Sequence, residues 1–178
     1  MIRRIVADSS CDLQRFPGAD FISVPMKIIT AQQEYVDNAQ LDVAKMAESL
    51  RQYKGHSSTA CPNASDWESA FAGADEVFAL TITSALSGSC NAAQCAKAHY
   101  ESIHPDCRIH VIDTLSTGPE MLLLIEQLYS MLQAQMRFDD ICREIAVYSQ
   151  KTHLLFLLSS VKNLSRNGRI SRLGAEAV

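Results

Sequence analysis

The feature that most constrains the fold is a recurring pattern in which a short apolar segment runs directly into a polar loop. Strands that alternate with helices predict an α/β fold, a mostly parallel β-sheet flanked by helices on both faces. In open sheets of this type the ligand lies beyond the carboxyl ends of the strands, so we expect the polar loops to converge on one edge. The segments are residues 3–7, 77–82 and 108–112, and their loops are Asp8–Ser10, Thr83–Ser89 and Asp113–Thr117.

The loop around Ser87-Gly88-Ser89 joins an apolar strand to an Ala-rich segment that favours a helix to about Tyr100. Backbone N–H groups at such a helix start, together with the helix dipole and the serine hydroxyls, favour an anion. A carboxylate or a phosphate is therefore the predicted ligand of this loop. The alternative is that a serine merely caps the helix.

Hydrophobic periodicity and capping signals predict the other elements. Residues 21–28 read as a strand that either ends near Val24 or continues on a sheet edge, because Pro25 has no N–H for strand pairing. Capping-box spacing at Ser65/Glu68 and Thr117/Glu120 predicts two helix starts. The remaining predictions are helices over residues 42–53, 66–71, 120–135, 138–150 and 161–166, and a strand over residues 153–158.

Composition excludes several classes of protein. The chain has 178 residues, a net charge of −4 and 47% hydrophobic residues, so it can bury a core but lacks the basic footprint of a nucleic-acid-binding protein. We expect no secretory signal, and the sequence has no apolar run of membrane-spanning length. Its six cysteines form neither a C-x-x-C pair nor a zinc-finger spacing, so we expect reduced thiols, no metal, no cofactor and a cytoplasmic location.

Two hydroxyl-rich loops are candidates for chemistry. Ser87 resembles a nucleophile only weakly, because Ala85 stands where a G-x-S-x-G motif has its first glycine and none of the histidines lies in a catalytic motif. The second loop, Ser57-Ser58-Thr59, matches no nucleotide-binding motif and has no nearby lysine cluster, so its hydroxyls suit a single carboxylate better than a polyphosphate. The alternative for this loop is an ordinary polar surface turn.

Four charged residues need separate interpretation. Asp8, Asp12 and Asp113 at strand ends suggest a metal or acid–base cluster, but we favour roles in capping and in binding loop N–H groups. Arg169, next to Gly168 in a turn, has the planar fork of a carboxylate clamp. From the residues alone, an exposed arginine without a role is the favoured interpretation.

Taken together, an ordered set of weak motifs resembles the DegV family along essentially the whole chain. Asn167 departs from this pattern, because the family commonly has a glycine there, and Ser57-Ser58-Thr59 stands where the family often has Thr-Ser. The matching segments are residues 8–13, 25–28, 35–37, 57–62, 84–89, 111–114 and 164–171.

The resemblance implies a protein that binds a long-chain fatty acid between two α/β domains and presents it to a fatty acid kinase. It implies that the carboxylate is held by hydroxyl loops and an arginine, and that the protein is not an enzyme. The alternative function is a serine-dependent acyl hydrolase or transferase that uses Ser87; a third possibility is a remnant that binds a partner and no lipid. The implied ligand-binding residues are Ser58, Thr59, Ser87, Gly88, Ser89 and Arg169.

The same resemblance implies a domain division. Residues 1–150 are expected to form the first domain, and residues 151–178 the truncated beginning of the second. Such a chain would supply the polar end and one wall of a lipid cleft. We therefore expect weak fatty-acid binding by the chain alone and self-association through the exposed apolar wall, with no nucleic-acid partner.

Overall fold

A computed structural model describes residues 1–155, 157–158 and 162–169. Within these residues strands and helices alternate along most of the chain. The strands are β1 (Arg3–Asp8), β2 (Asp20–Val24), β3 (Lys27–Ile29), β4 (Glu34–Val36), β5 (Ser58–Ala60), β6 (Glu76–Thr81) and β7 (Arg108–Asp113). The helices are α1 (Val43–Gln52), α2 (Ala64–Phe71), α3 (Ser89–Ile103), α4 (Pro119–Gln133), α5 (Phe138–Ser149) and α6 (Lys162–Arg166).

The main sheet has four parallel strands in the order β2-β1-β6-β7. Ala7 lies opposite Leu80, and Leu80 lies opposite Ile112, so β1, β6 and β7 are neighbours in register. Because the strands are parallel, their carboxyl ends share one edge, and the polar loops after them meet there. This confirms the predicted α/β fold and the predicted neighbours.

The core lies on both faces of this sheet. All six residues of β6 are buried, as expected for a central strand of a parallel sheet. Phe78 and Leu80 pack on the face covered by α4 and α5, whereas Val77 and Ala79 pack on the face covered by α2 and α3. The period of two along the strand thus directs alternate side chains into two separate apolar layers.

A second, antiparallel sheet in the order β4-β3-β5 was not predicted. The chain passes from the first sheet to the second after Val24, where Pro25 cannot donate a hydrogen bond and the Met26 N–H donates to Ser9 Oγ at 3.0 Å. The prediction that Ser58 and Thr59 lie in a loop is wrong, because both lie in β5. There Thr59 pairs with Ile28, a contact between residues far apart in sequence that local patterns do not reveal.

The two capping boxes assigned to Ser65/Glu68 and Thr117/Glu120 are also wrong. Helix α2 begins earlier, with a reciprocal capping box between Asn63 and Asp66. Helix α4 begins at Pro119 after Gly118, a residue with φ +53° and ψ −123° that favours glycine. The spacing alone does not fix a helix start, because in α2 the side chains that reach the end groups are those of Asn63 and Asp66.

Thr117 and Glu120 have other partners in the structure. The Thr117 hydroxyl donates to the Ser10 carbonyl at 3.2 Å, which ties the α4 start to the loop after β1. Glu120 accepts a hydrogen bond from the Thr152 hydroxyl at 2.6 Å. Both contacts therefore hold the carboxyl edge of the sheet together.

The last part of the chain differs from prediction. The expected strand over residues 153–158 is wrong for residues 153–155, 157 and 158, which are irregular, and Phe156 lies outside the described residues. Helix α6 covers most of the predicted helical piece, although Val161 also lies outside the described part. Within the described residues, no helix is both long and apolar enough to cross a membrane. The division into domains near residue 150 stays a prediction.

Candidate functional site

Four of the six predicted ligand-binding residues line one cavity of about 450 Å³ beside the carboxyl edge of the main sheet: Ser58, Thr59, Ser87 and Arg169. They come from three separate parts of the chain, namely β5, the loop before α3 and the turn after α6. The other described lining residues are Met26, Ile28, Leu50, Ser57, Ile82, Leu86, Leu164 and Asn167.

Arg169 connects the two hydroxyl-bearing segments. Its Nη2 donates to Thr59 Oγ1 at 2.9 Å, and its Nε donates to the Leu86 carbonyl at 3.0 Å. Because Thr59 Oγ1 accepts from the guanidinium, the Thr59 hydroxyl proton remains available to donate to another group. The neighbouring Asn167 Nδ2 donates to the Ser57 carbonyl at 3.3 Å, which holds the arginine turn against β5.

The Ser87 hydroxyl, like that of Thr59, already accepts one hydrogen bond. Its Oγ accepts a hydrogen bond from the Ser89 N–H at 3.2 Å, next to the start of α3. An oxygen that already accepts from the backbone directs its own O–H elsewhere, and Ser87 lines the cavity. The cavity therefore combines the Thr59 and Ser87 hydroxyls, together with those of Ser57 and Ser58 in the lining, with one guanidinium.

Gly88 and Ser89 do not line this cavity among the described residues. Ser89 is fully buried, and its Oγ donates to Asp8 Oδ2 at 2.6 Å. A side chain on Gly88 would lie 3.4 Å from Cys61 Sγ, an ordinary contact distance. Ser89 thus uses its hydroxyl to join the α3 start to β1.

Asp8 is outside the described lining of the cavity, but it binds residues of the loop that lies beside the cavity. It is fully buried and also accepts hydrogen bonds from the Ile82 N–H at 2.9 Å and from the Ser10 hydroxyl. Burial raises the pKa of the Asp8 carboxyl above its ordinary value, whereas the hydrogen bonds from Ser10, Ser89 and Ile82 lower it. Asp8 therefore fixes the loop after β6 instead of facing a ligand.

Asp113 has a comparable structural role at the end of β7. Its Oδ1 accepts from the Ser84 N–H at 3.1 Å and from the Leu115 N–H at 3.2 Å. These contacts confirm the interpretation that Asp8 and Asp113 bind loop N–H groups. Within the described residues, no group of three His, Cys, Asp or Glu side chains could hold a metal ion.

The electrostatics of the cavity favour an anion. Arg169 forms no ion pair with any described carboxylate, and neither Asp nor Glu is found in the described lining. A half-buried guanidinium without a counter-ion is an unfavourable arrangement that a bound carboxylate would relieve. No histidine lines the cavity within the described residues, so Ser87 has no imidazole base beside it there.

Sequence reasoning did not identify the apolar walls. Met26, Ile28, Leu50 and Leu164 come from four different elements or turns, and each is only partly buried. The only local signal was the apolar spacing of α1, which places Leu50 on the inward face. Convergence of the other three side chains depends on the second sheet and on α6.

The chain is similar to known proteins over almost its whole length. Residues 3–176 match the model of a family described as "Uncharacterised protein, DegV family". A DegV domain-containing protein of Streptococcus pneumoniae strain R6 is 44% identical over 177 residues, which cover 97% of this chain and 63% of that protein. The chain thus spans less than two thirds of the length of this relative.

Two solved structures are similar to the chain at 43% identity. A DegV family protein from Eubacterium eligens, loaded with heptadecanoic acid, matches with a TM-score of 0.94 over 98% of this chain and 63% of that one. The Streptococcus pneumoniae Fatty Acid Kinase (Fak) B3 protein, loaded with linoleic acid, matches with a TM-score of 0.96 over 100% of this chain and 65% of that one.

Proposed function

The chain belongs to the DegV family, and from this premise we propose that it binds a long-chain fatty acid by its carboxylate and presents it to a fatty acid kinase. Two structural relatives at 43% identity hold heptadecanoic acid and linoleic acid, which supports this ligand class. The name of the second relative supports a fatty acid kinase as the partner.

One observation carries the proposal: the guanidinium of Arg169, which forms no ion pair within the described residues, lies between two hydroxyl-bearing segments. We place the carboxylate between Arg169, Thr59 and Ser87, which all line the cavity, with Ser58 beside them. Hydrogen bonds to a charged acceptor contribute about 1.5–3 kcal/mol each. Gly88 and Ser89 are outside the described lining of the cavity, but they lie at the start of α3, where the positive end of the helix dipole is next to Ser87.

The apolar part of the lining suits an acyl chain. Met26, Ile28, Leu50 and Leu164 surround the polar groups with hydrocarbon. Removal of apolar surface from water contributes roughly 25 cal/mol per Å². The cavity therefore pairs a site for a charged head with a wall for a hydrophobic tail.

The residues around Ser87 favour a fatty-acid carrier over a serine hydrolase. A serine nucleophile needs a positioned base, and the described lining contains neither histidine nor carboxylate near Ser87. We therefore propose a carrier and not an acyl hydrolase or transferase. We also propose that the carrier works in the cytoplasm, because its six cysteines are all unpaired.

The test compares two neighbouring serines. Ser87→Ala removes a proposed carboxylate donor, whereas Ser89→Ala removes the bond to buried Asp8. Calorimetric titration with linoleate should show at least about tenfold weaker binding for Ser87→Ala, from the loss of one charged hydrogen bond. Ser89→Ala should instead lower the free energy of unfolding and change affinity little. Unchanged affinity of a folded Ser87→Ala protein would refute the assignment.

A second assay separates a carrier from a hydrolase. Purified protein is incubated with an activated acyl ester such as a nitrophenyl ester of a fatty acid. A carrier should release no more nitrophenol than a Ser87→Ala variant does. Turnover that disappears in Ser87→Ala would establish the hydrolase function instead.

A further inference from the structure

A second cavity of about 570 Å³ lies next to the first one at the same edge of the sheet. The loop between β6 and α3 separates them: Ile82 and Ser87 line the first cavity, and Thr83 lines the second. Leu86 lines both, and it is the only residue shared by the two linings within the described chain. This residue therefore stands at the boundary between the two spaces.

The backbone of the separating loop is fixed on both sides. The Leu86 N–H donates to the Thr83 carbonyl at 3.1 Å, and the Leu86 carbonyl accepts from Arg169. The Thr83 N–H donates to the Ser116 carbonyl at 2.9 Å, and Ser84 is bound by Asp113. With the backbone held in this way, the half-buried Leu86 side chain is the part of the boundary that can change rotamer.

Charge decides which end of a fatty acid each cavity accepts. Asp113 and Glu120 line the second cavity, and its described lining has neither lysine nor arginine, with His153 as the one basic side chain there. A carboxylate would be repelled there, whereas the first cavity offers Arg169 without a described acid. Asp113 and Glu120 are already bound by loop N–H groups and by Thr152, so they do not exclude hydrocarbon from the rest of the space.

The second cavity also offers apolar contacts. Leu86, Leu115 and Leu154 line it. Leu115 has a left-handed backbone with φ +51° and is 76% exposed, so the loop holds an apolar side chain toward solvent at some conformational cost. An acyl chain end placed there would cover this side chain.

We propose that Leu86 determines the acyl chain length that the site accepts, because its side chain closes the passage from the carboxylate cavity to the second cavity. Short chains end in the first cavity, and longer chains displace Leu86 and extend into the second. This inference rests on the proposed fatty-acid function and adds a residue that sets specificity.

The experiment measures dissociation constants for laurate and stearate with the full-length protein. Leu86→Ala opens the passage and should raise the stearate-to-laurate affinity ratio by about fourfold or more, the effect of one further buried methylene. Leu86→Phe narrows the passage and should lower the same ratio by about tenfold. Leu50→Ala, which changes only the first cavity, should weaken both acids to the same extent.

The possible results distinguish failure of the proposed Leu86 role from failure of the proposed fatty-acid binding. The role of Leu86 would be overturned if the stearate-to-laurate affinity ratio were unchanged in Leu86→Ala and Leu86→Phe. The same conclusion would follow if both variants lost equal affinity for the two acids. If Leu86→Phe does not fold by circular dichroism, the ratio in Leu86→Ala decides alone. If the wild-type protein binds neither acid, the proposed function fails.

Discussion

At the scale of single residues, Arg169 joins two segments through a planar fork. Lysine has the same charge but cannot reproduce the paired geometry that reaches Thr59 Oγ1 and the Leu86 carbonyl together. Arg169→Lys should therefore weaken linoleate binding by about tenfold or more, measured by calorimetric titration. Arg166→Lys is the matched control, since exposed Arg166 lies outside the described lining of the cavity. Equal affinities of the two variants would contradict the proposed clamp.

Asp8 provides a prediction about pH. Its folded-state pKa is raised by burial, so protonation of Asp8 favours the folded protein, and this contribution is lost as pH rises from about 3.8 through the folded pKa. Asn at this position does not titrate. Asp8→Asn should lower the free energy of unfolding by about 1–3 kcal/mol at acid pH through lost hydrogen bonds. In denaturant titrations, the difference in the free energy of unfolding between the wild type and Asp8→Asn should become smaller toward neutral pH. A difference that grows with pH would disprove the role of Asp8 protonation.

At the scale of elements, strand β7 is an edge strand whose free side is covered by side chains of α3. Lys97 Nζ donates to the Ile109 carbonyl at 2.6 Å, and Glu101 accepts from the Ile109 N–H at 2.8 Å. Such cover prevents the edge from pairing with another chain. Simultaneous replacement of Lys97 and Glu101 by Ala should speed hydrogen exchange at the Ile109 amide and increase light scattering on storage. Glu126→Ala, an exposed change on α4, should alter neither hydrogen exchange at Ile109 nor light scattering. Equal exchange rates at Ile109 in the double variant and the wild type would refute the protective role of Lys97 and Glu101.

At the scale of the whole molecule, several leucines lie open to solvent. Leu115, Leu155 and Leu157 are 76%, 92% and 101% exposed. Full burial of a leucine contributes about 1.5–3 kcal/mol, so contact between copies should be favourable. We expect self-association at high concentration in sedimentation velocity, and Leu155→Ser with Leu157→Ser should restore monomers. Ile103→Ser, on α3, should leave association unchanged; a wild-type monomer throughout would refute this.

Local sequence patterns determined most of the main sheet. The apolar runs at β1, β6 and β7 and the stop after Val24 follow from strand composition and from the missing N–H of Pro25. The convergence of polar loops was also predictable, because parallel strands place their carboxyl ends on one edge. Helix starts were less predictable, since Asn63 and Asp66 compete with other capping pairs nearby.

Only the tertiary structure decided which hydroxyls face the cavity. Ser87 and Ser89 look equivalent in sequence, but α3 turns Ser89 toward buried Asp8 and leaves Ser87 at the cavity. Thr59 and Arg169 are 110 residues apart, and no local pattern predicts their contact. Sequence determines secondary structure through neighbouring residues, whereas a binding site depends on the packing of distant segments, where burial and hydrogen bonding select one arrangement among many.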